Sequence, residues 1–226
     1  MDAGQGLSVW VQTRDRNLLF DTGTAQAAQT GIVPSLNAMG VRRLDKLILS
    51  HHDSDHDGGL DAVSDIEIGE TLAGQPEFYP NAKFCAEAQW QWDGVDFELL
   101  RSSENPASED NDKSCILRVV SDGQALLVTG DLCVKGEAGL VERYGSSLYS
   151  QVLILGHHGS NTASSGGYAD AYKHPTPAVQ TRVRAHGATL LRTDLSGALV
   201  FELGGDEIFR GRLKSDKFYW QKKPFE

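Results

Sequence analysis

A dense group of histidines and aspartates follows an apolar segment in the first quarter of the chain. Residues 47–49 read as a buried strand, and positions 51–57 then hold three histidines and three aspartates. Side chains alternate in an extended segment, so His51, Asp53 and Asp55 project to one side, and the following turn can bring His56 towards them. Imidazoles and carboxylates at this density repel or desolvate one another unless a cation is present, and divalent metals bind this mixture. The cluster therefore predicts a metal site rather than an acidic surface loop.

Two smaller groups later in the chain can complete such a site. His157 and His158 follow the apolar run 152–155 with a glycine on either side, which permits close backbone approach to an ion or a phosphate. Asp131 follows another apolar run, 125–128. Alone, a pair of loop histidines or a turn aspartate is ordinary. Together with the first cluster, they predict a second set of ligands and a carboxylate between two metals.

The elements that must position these residues follow an α/β pattern. Segments 7–12 and 17–20 predict a hairpin, and a helix at 34–39 leads to the strand at 47–49, which forms a βαβ unit. Further strands are predicted at 97–100, 116–120, 125–129, 151–155, 189–192, 198–202 and 208–213, and further helices at 60–63, 135–144 and 175–187. Many strands with few helices predict two sheets sandwiched between helices, in a single domain over residues 1–226.

Composition excludes several other classes of protein. The chain has 226 residues, 40% of them hydrophobic, and no apolar run approaches the roughly 18 residues that a membrane helix needs. Its formal net charge of −10 argues against coating of DNA by bulk electrostatics, although residues 181–226 hold nine basic and six acidic side chains. The three cysteines form no CxxC pair and indicate neither a disulfide framework nor a zinc ribbon.

Several motifs in a fixed order resemble the metallo-β-lactamase superfamily. They are Asp21-Thr22-Gly23, His51-x-Asp53-x-Asp55-His56-x-Gly58-Gly59, Thr129-Gly130-Asp131 and His157-His158-Gly159-Ser160. Within the superfamily, aspartate instead of histidine at position 53 and the Asn111-Asp112-x-Ser114 motif are similar to the C-terminal domain of ComEC-type competence proteins. The resemblance runs from residue 2 to about residue 220. It implies a four-layer αββα sandwich with a dinuclear metal site at one edge of the sheets.

The resemblance also implies roles for individual residues. His51 and Asp53 would bind one divalent metal, Asp55 and His56 the other, and Asp131 would bridge them. Either His157 or His158 completes the set, and the other faces the substrate. The implied catalytic residues are Asp55, Asp131 and His158, and the implied substrate contacts are Asn111, Ser160, Thr162 and His174. Because the superfamily's middle histidine is missing, the site is richer in oxygen, and manganese becomes as plausible a metal as zinc.

Three functions compete on this basis. The leading one is a metal-dependent nuclease that hydrolyses single-stranded DNA, the non-transported strand in natural transformation, beside the membrane channel region of a longer protein at the plasma membrane. The second is a small-molecule phosphodiesterase similar to phosphorylcholine esterases, which the acidic composition favours. The third is a non-catalytic module that binds DNA or gates the channel, with structural metals. Trp90, Trp92 and Trp220 are candidates for base stacking if they are exposed.

Overall fold

Short alternating apolar segments form most of the strands of this protein. The computed structural model describes residues 6–103, 110–159, 175–193, 198–206 and 208–212. The strands are β1 (Val9–Gln12), β2 (Asn17–Phe20), β3 (Arg43–Leu44), β4 (Lys46–Leu49), β5 (Glu67–Ile68), β6 (Thr71–Ala73), β7 (Lys83–Phe84), β8 (Ala88–Trp92), β9 (Val95–Leu100), β10 (Ile116–Ser121), β11 (Gln124–Val128), β12 (Val152–Ile154), β13 (Leu199–Phe201) and β14 (Phe209–Arg212). The α-helices are α1 (Ala25–Ala27), α2 (Val33–Ala38), α3 (Leu60–Val63), α4 (Val134–Tyr144) and α5 (Pro177–Ala185).

Two five-stranded sheets carry the fold. The first has the spatial order β1-β2-β4-β6-β7, in which β1 and β2 form the predicted antiparallel hairpin and the remaining neighbours are parallel. The second has the order β12-β11-β10-β9-β8 and is antiparallel except for the parallel pair β11 and β12. No helix in the described ranges is long and apolar enough to cross a membrane.

The sheets stack face to face and helices cover their outer faces. Leu18 and Phe20 point inward from β2 and pack with Phe97 of β9, because side chains on a strand alternate between its faces. Residues on the outer face of the first sheet pack against the helical segment 25–38. On the outer face of the second sheet, residues pack against Leu140 of α4. This layer order confirms the predicted αββα sandwich.

The helix predicted at 34–39 is longer at its N-terminal side than the sequence pattern indicated. It begins at Ala25, where the Thr24 side chain accepts a hydrogen bond from the Ala27 amide, and it passes through a π-helical turn at Ala28–Ile32. Pro34 follows this turn and lacks the N–H that a regular helix would use. The wider turn accommodates the proline, so the helix continues through it instead of starting there.

One predicted strand is wrong. Residues 189–192 form no strand, although 198–202 and 208–213 hold the antiparallel pair β13 and β14. Leu190 and Leu191 are adjacent, so both cannot face the same side of a strand, and no strand among the described residues pairs with them. The pattern also missed β6, which is only three residues long, and β8, whose glutamines and tryptophans alternate.

A disulfide that the cysteine spacing did not indicate joins the two sheets. Cys85 follows β7 in the first sheet, Cys115 precedes β10 in the second, and their Cα atoms lie 5.9 Å apart. The bond closes a loop across a sequence separation of 30 residues. The pairing depends on the stacking of the two sheets, and it was therefore invisible in the spacing of three cysteines along the chain.

Candidate metal centre

The candidate ligands, and Asp21, which supports one of them, lie where four strands end. Asp21 follows β2, His51 follows β4 after one residue, Asp131 follows β11, and His157 and His158 follow β12. Within each sheet the two strands concerned are parallel neighbours, so their C-terminal ends lie side by side. The residues after both pairs meet across the sandwich, because Nε2 of His56 lies 3.2 Å from Nε2 of His158.

One group of ligand atoms is fully enclosed. His51, His56 and Asp131 are all buried, and their ligand atoms lie within 4.8 Å of one another. His51 Nε2 and Asp131 Oδ1 are buried without a hydrogen-bond partner. Asp131 Oδ1 lies 3.2 Å from His56 Nε2, but this contact lacks hydrogen-bond geometry. Two orphaned polar atoms that face a third ligand atom in an enclosed site fit a divalent cation, because burial without a partner is costly.

A buried network holds these imidazoles in the orientation that a metal requires. Asp21, which has no exposed surface, accepts from the Ser50 hydroxyl at 2.7 Å and from the Ser50 amide at 2.6 Å, and its Oδ2 lies 2.8 Å from His56 Nδ1. Since the Ser50 hydroxyl hydrogen is used on Asp21, Ser50 Oγ accepts from His51 Nδ1–H at 3.0 Å. The Nε2 atoms of both histidines therefore point into the site, as in other carboxylate–histidine–metal arrangements.

The second group is more open to solvent. Asp55, His56 and His158 also place their ligand atoms within 4.8 Å of one another, and Asp55 Oδ2 lies 3.0 Å from His158 Nε2. The side chains of Asp55 and His158 are each 25% exposed, which leaves room for a substrate. His157 lies outside this group, with its Nε2 3.9 Å from Asp131 Oδ2. The geometry thus favours His158 over His157 as the ligand.

The two histidines after β12 have an unusual backbone. His157 has φ 46° and His158 has φ 51°, both in the left-handed region that side chains with a Cβ rarely occupy. This conformation turns the chain sharply behind β12. It directs both imidazoles towards Asp131, whose Oδ2 lies 3.8 Å from His158 Nε2.

Burial and charge set the protonation of the site. Burial lowers the pKa of His51, which keeps this ring neutral. Burial would also lower the pKa of His56, but the attraction of Asp21 and Asp131 outweighs it and raises that pKa to about 11. Burial opposes ionisation of Asp131 and Asp55, yet contact with His56 and His158 respectively lowers both pKa values. Both carboxylates are therefore ionised at neutral pH.

Other predicted site residues are not brought into these groups. Asp53 is exposed, and its Oδ1 accepts from the Ser54 amide, so its role as a ligand stays a prediction. Asn111 lies in a short 3-10 turn (Asn111–Lys113) that leads to Ser114. Ser160, Thr162 and His174 lie outside the described residues.

Two residues that support the ligands, Ser114 and Asp112, have no role that the sequence motifs predict. Ser114 Oγ accepts from the Asp131 amide at 3.2 Å and lies 3.5 Å from His51 Nδ1, so it links the two ligands. Asp112 is buried and accepts from the Cys133 amide at 2.8 Å, which fixes the turn after Asp131 at the start of α4. The motif that contains both residues was visible in the sequence. Their hydrogen-bond partners follow other strands, so only the fold identifies them.

The fold and the site define a class of protein. The described chain has two stacked sheets between helices, and its candidate metal ligands follow the strand ends at one edge. The Metallo-beta-lactamase superfamily profile matches residues 1–174, and the chain belongs to this superfamily. A B3 metallo-β-lactamase with an active-site glutamic acid shares the fold with a TM-score of 0.53, at 16% identity over 80% of this chain and 84% of that one.

Two relatives have a higher sequence identity to this chain, and both have names that refer to a specific process. The chain is 68% identical to Competence protein ComA of Neisseria gonorrhoeae over its whole length, which covers 35% of that relative. It is 30% identical to Recombination protein 2 of Haemophilus influenzae over 97% of the chain and 30% of the relative. The chain thus spans about a third of the length of these proteins.

Asp21 should control metal affinity without touching the metal. We expect Asp21→Asn to weaken manganese binding about 10- to 100-fold, because an amide donates to His56 Nδ1 and forces the proton onto Nε2. Competition with a chelating dye measures the change. Asp61→Asn, at an exposed position in the first turn of α3, is the control and should bind normally. Equal affinity of both variants would contradict the proposed tautomer.

Metal binding should also release protons. In the absence of metal, His56 is protonated at neutral pH because its pKa is about 11, so a metal must displace a proton from Nε2. We expect the apparent association constant of manganese to rise about tenfold for each pH unit between roughly pH 7 and 8. Calorimetry in two buffers with different ionisation enthalpies measures the proton count. A pH-independent affinity without proton release would argue against His56 as a ligand.

Proposed function

We propose that this chain is a metal-dependent phosphodiesterase that hydrolyses single-stranded DNA during DNA uptake, as part of a longer competence protein. The observation that carries this proposal is the convergence of two ligand groups on His56 beside the orphaned atoms of His51 and Asp131. The similarity to Competence protein ComA supports the context of DNA uptake. In that context, the channel region of the full-length protein is the partner, and the plasma membrane is the place of attachment.

The chain's own groups divide the work between binding and proton transfer. Two divalent cations, when bound, would lower the pKa of water and polarise a phosphoryl oxygen. One side of the metal site is formed by His51, His56 and Asp131. The other side is formed by His158. The ionised carboxylate of Asp55, a quarter exposed, can accept the proton of an attacking water at Oδ2. His158 Nε2 lies 3.0 Å from this oxygen, so the carboxylate and the imidazole face the same point of the site.

Cleavage of a labelled single-stranded oligonucleotide tests the proposal. The purified chain is assayed with manganese, with zinc and with a chelator, beside Asp55→Ala. We expect products that require metal and that decrease strongly in the variant, because removal of Asp55 leaves no carboxylate at this position to accept the proton. If the wild type binds metal but yields no cleavage products, the proposal of nuclease activity is wrong.

A smaller phosphodiester is the second candidate substrate. The net charge of −10 favours it, because a negative surface repels a long polyanion. Hydrolysis of bis(p-nitrophenyl) phosphate is compared with that of the oligonucleotide at matched concentrations. Preference for the small ester would support this alternative, and the opposite preference would support the nuclease.

The disulfide supports a location for the proposed activity. Structural disulfides persist in oxidising compartments and are rare where thiols are kept reduced. We therefore place the chain on the non-cytosolic side of the plasma membrane, where a non-transported strand would be encountered. Labelling of free thiols in cells tests this placement. Unmodified Cys85 and Cys115 after treatment with a membrane-permeant alkylating reagent are expected, and their full alkylation would contradict it.

A further inference from the structure

Two aromatic rings form an exposed stack beside the candidate metal centre. The rings of His52 and Phe78 lie 4.1 Å apart at 18°, which is a stacked arrangement. The His52 side chain is 47% exposed and Phe78 is 51% exposed. We call this pair the His52–Phe78 platform. None of the roles assigned above uses either residue.

A buried acid holds the platform rigid. Asp57 is 9% exposed, and its Oδ2 lies 2.5 Å from His52 Nδ1 and accepts from the Tyr79 hydroxyl at 2.7 Å. The backbone amide of His52 donates to Gln75 Oε1 at 2.9 Å, and Gln75 is itself buried. The exposed imidazole of His52 is thus held by its contact with the buried Asp57 carboxylate and by stacking on Phe78. A rigid aromatic surface loses little conformational entropy when a ligand stacks on it.

The platform lies at the same edge of the sheets as the candidate ligands. His52 directly follows His51, and Phe78 lies in a turn (Pro76–Phe78) after β6. Because β6 is the parallel neighbour of β4, the ends of both strands meet at this edge. The Tyr79 hydroxyl lies 3.4 Å from the His51 carbonyl, so the turn lies directly against the ligand segment.

We propose that the His52–Phe78 platform binds an unpaired nucleobase of single-stranded DNA next to the scissile phosphate. Bases stack on exposed aromatic side chains with little sequence preference, and a duplex, whose bases are already stacked, cannot use such a surface. The proposal rests on the proposed DNA substrate and narrows it to unpaired strands. A small phosphodiester without a base would gain nothing from the platform.

Of the three tryptophans that the sequence suggested for this role, Trp90 and Trp92 pack against the core, and Trp220 lies outside the described residues. Trp90 stacks on Phe97 at 5.2 Å, and Trp92 lies 5.1 Å from the same ring. Both tryptophans pack against the interior cluster between the two sheets. Phe78 is exposed at the same edge of the sheets as the candidate ligands. This position is apparent only from the fold, because it depends on the place of β6 beside β4.

Binding of a fluorescent oligonucleotide to the Asp55→Ala variant, measured in the presence of manganese, tests the platform without cleavage. In this background, we expect Phe78→Ala to raise the Kd about tenfold and Phe78→Trp to restore tight binding. The control is Tyr149→Ala, which removes an exposed aromatic before β12, at the opposite end of that strand from the ligands. A Kd that is unchanged in Phe78→Ala would overturn the proposal.

A scan with abasic nucleotides distinguishes the loss of base stacking from other causes of weaker binding. A single abasic nucleotide is moved along the oligonucleotide, and one position should weaken binding of the Asp55→Ala background as much as Phe78→Ala does. In the Phe78→Ala protein that abasic substitution should have no further effect, because the two changes remove the same contact. Additive losses at every position would contradict stacking. Platform-dependent binding with no cleavage by the wild type would refute the nuclease alone, and cleavage with Phe78-independent binding would refute the platform alone.

Discussion

Replacing Asp131 by asparagine is expected to lower metal-dependent DNA cleavage by about a thousandfold, which corresponds to about 4 kcal/mol of transition-state stabilisation. Asp131 is the residue whose two oxygens face both ligand groups, with Oδ1 near His56 and Oδ2 near His158. An amide keeps the shape and loses the negative charge that attracts divalent cations. Initial rates at saturating manganese measure the effect.

The asparagine variant is chosen because alanine would also leave a void at a buried position. A melting temperature close to that of the wild type shows that Asp131→Asn folds. Asp61→Asn, which removes an exposed carboxylate from α3, should cleave at the wild-type rate. A folded Asp131→Asn protein with more than a tenth of wild-type activity would refute the bridging role.

Loss of the Cys85–Cys115 bond is expected to lower the free energy of unfolding by about 3–4 kcal/mol. A cross-link across some 30 residues restricts the unfolded chain by about this amount. For a chain of this size, the melting temperature should fall by roughly 6–16 °C. Thermal denaturation of the wild type with and without dithiothreitol measures the change.

The double variant Cys85→Ser/Cys115→Ser separates the bond from other effects of the reductant. It should melt at the lower temperature in both conditions. Cys133→Ser keeps the bond, so it should respond to dithiothreitol as the wild type does. A wild-type melting temperature that does not change with reductant would rule out the bond as a stabilising element.

The sequence was most informative where local pattern decides structure. The hairpin of β1 and β2 follows from alternation and a turn, and α3 follows from a glycine pair before four helical residues. The histidine and aspartate clusters were visible for the same reason, since each directly follows an apolar strand. The number of strands and helices already indicated two sheets between helices, and the resemblance to a known superfamily added the place of the metal site at one edge of the sheets.

Features that depend on distant partners were not predictable in this way. The Cys85–Cys115 bond requires two sheets to stack, and the role of Ser114 requires β10 to lie beside the ends of β4 and β11. Similarly, Phe78 gains significance only because β6 pairs with β4. The spacing also could not choose between His157 and His158, because the choice depends on a left-handed turn behind β12.

The left-handed backbone at His158 has a consequence for attempts to engineer this protein. A residue with a side chain in the left-handed region costs about 1 kcal/mol relative to glycine, which adopts this conformation freely. Directed evolution for heat resistance alone would therefore enrich glycine at position 158 and discard the imidazole. Selection for thermal tolerance and selection for an intact metal centre favour different residues at this position. A stabilised variant that keeps its metal centre must therefore carry its stabilising substitutions elsewhere in the chain.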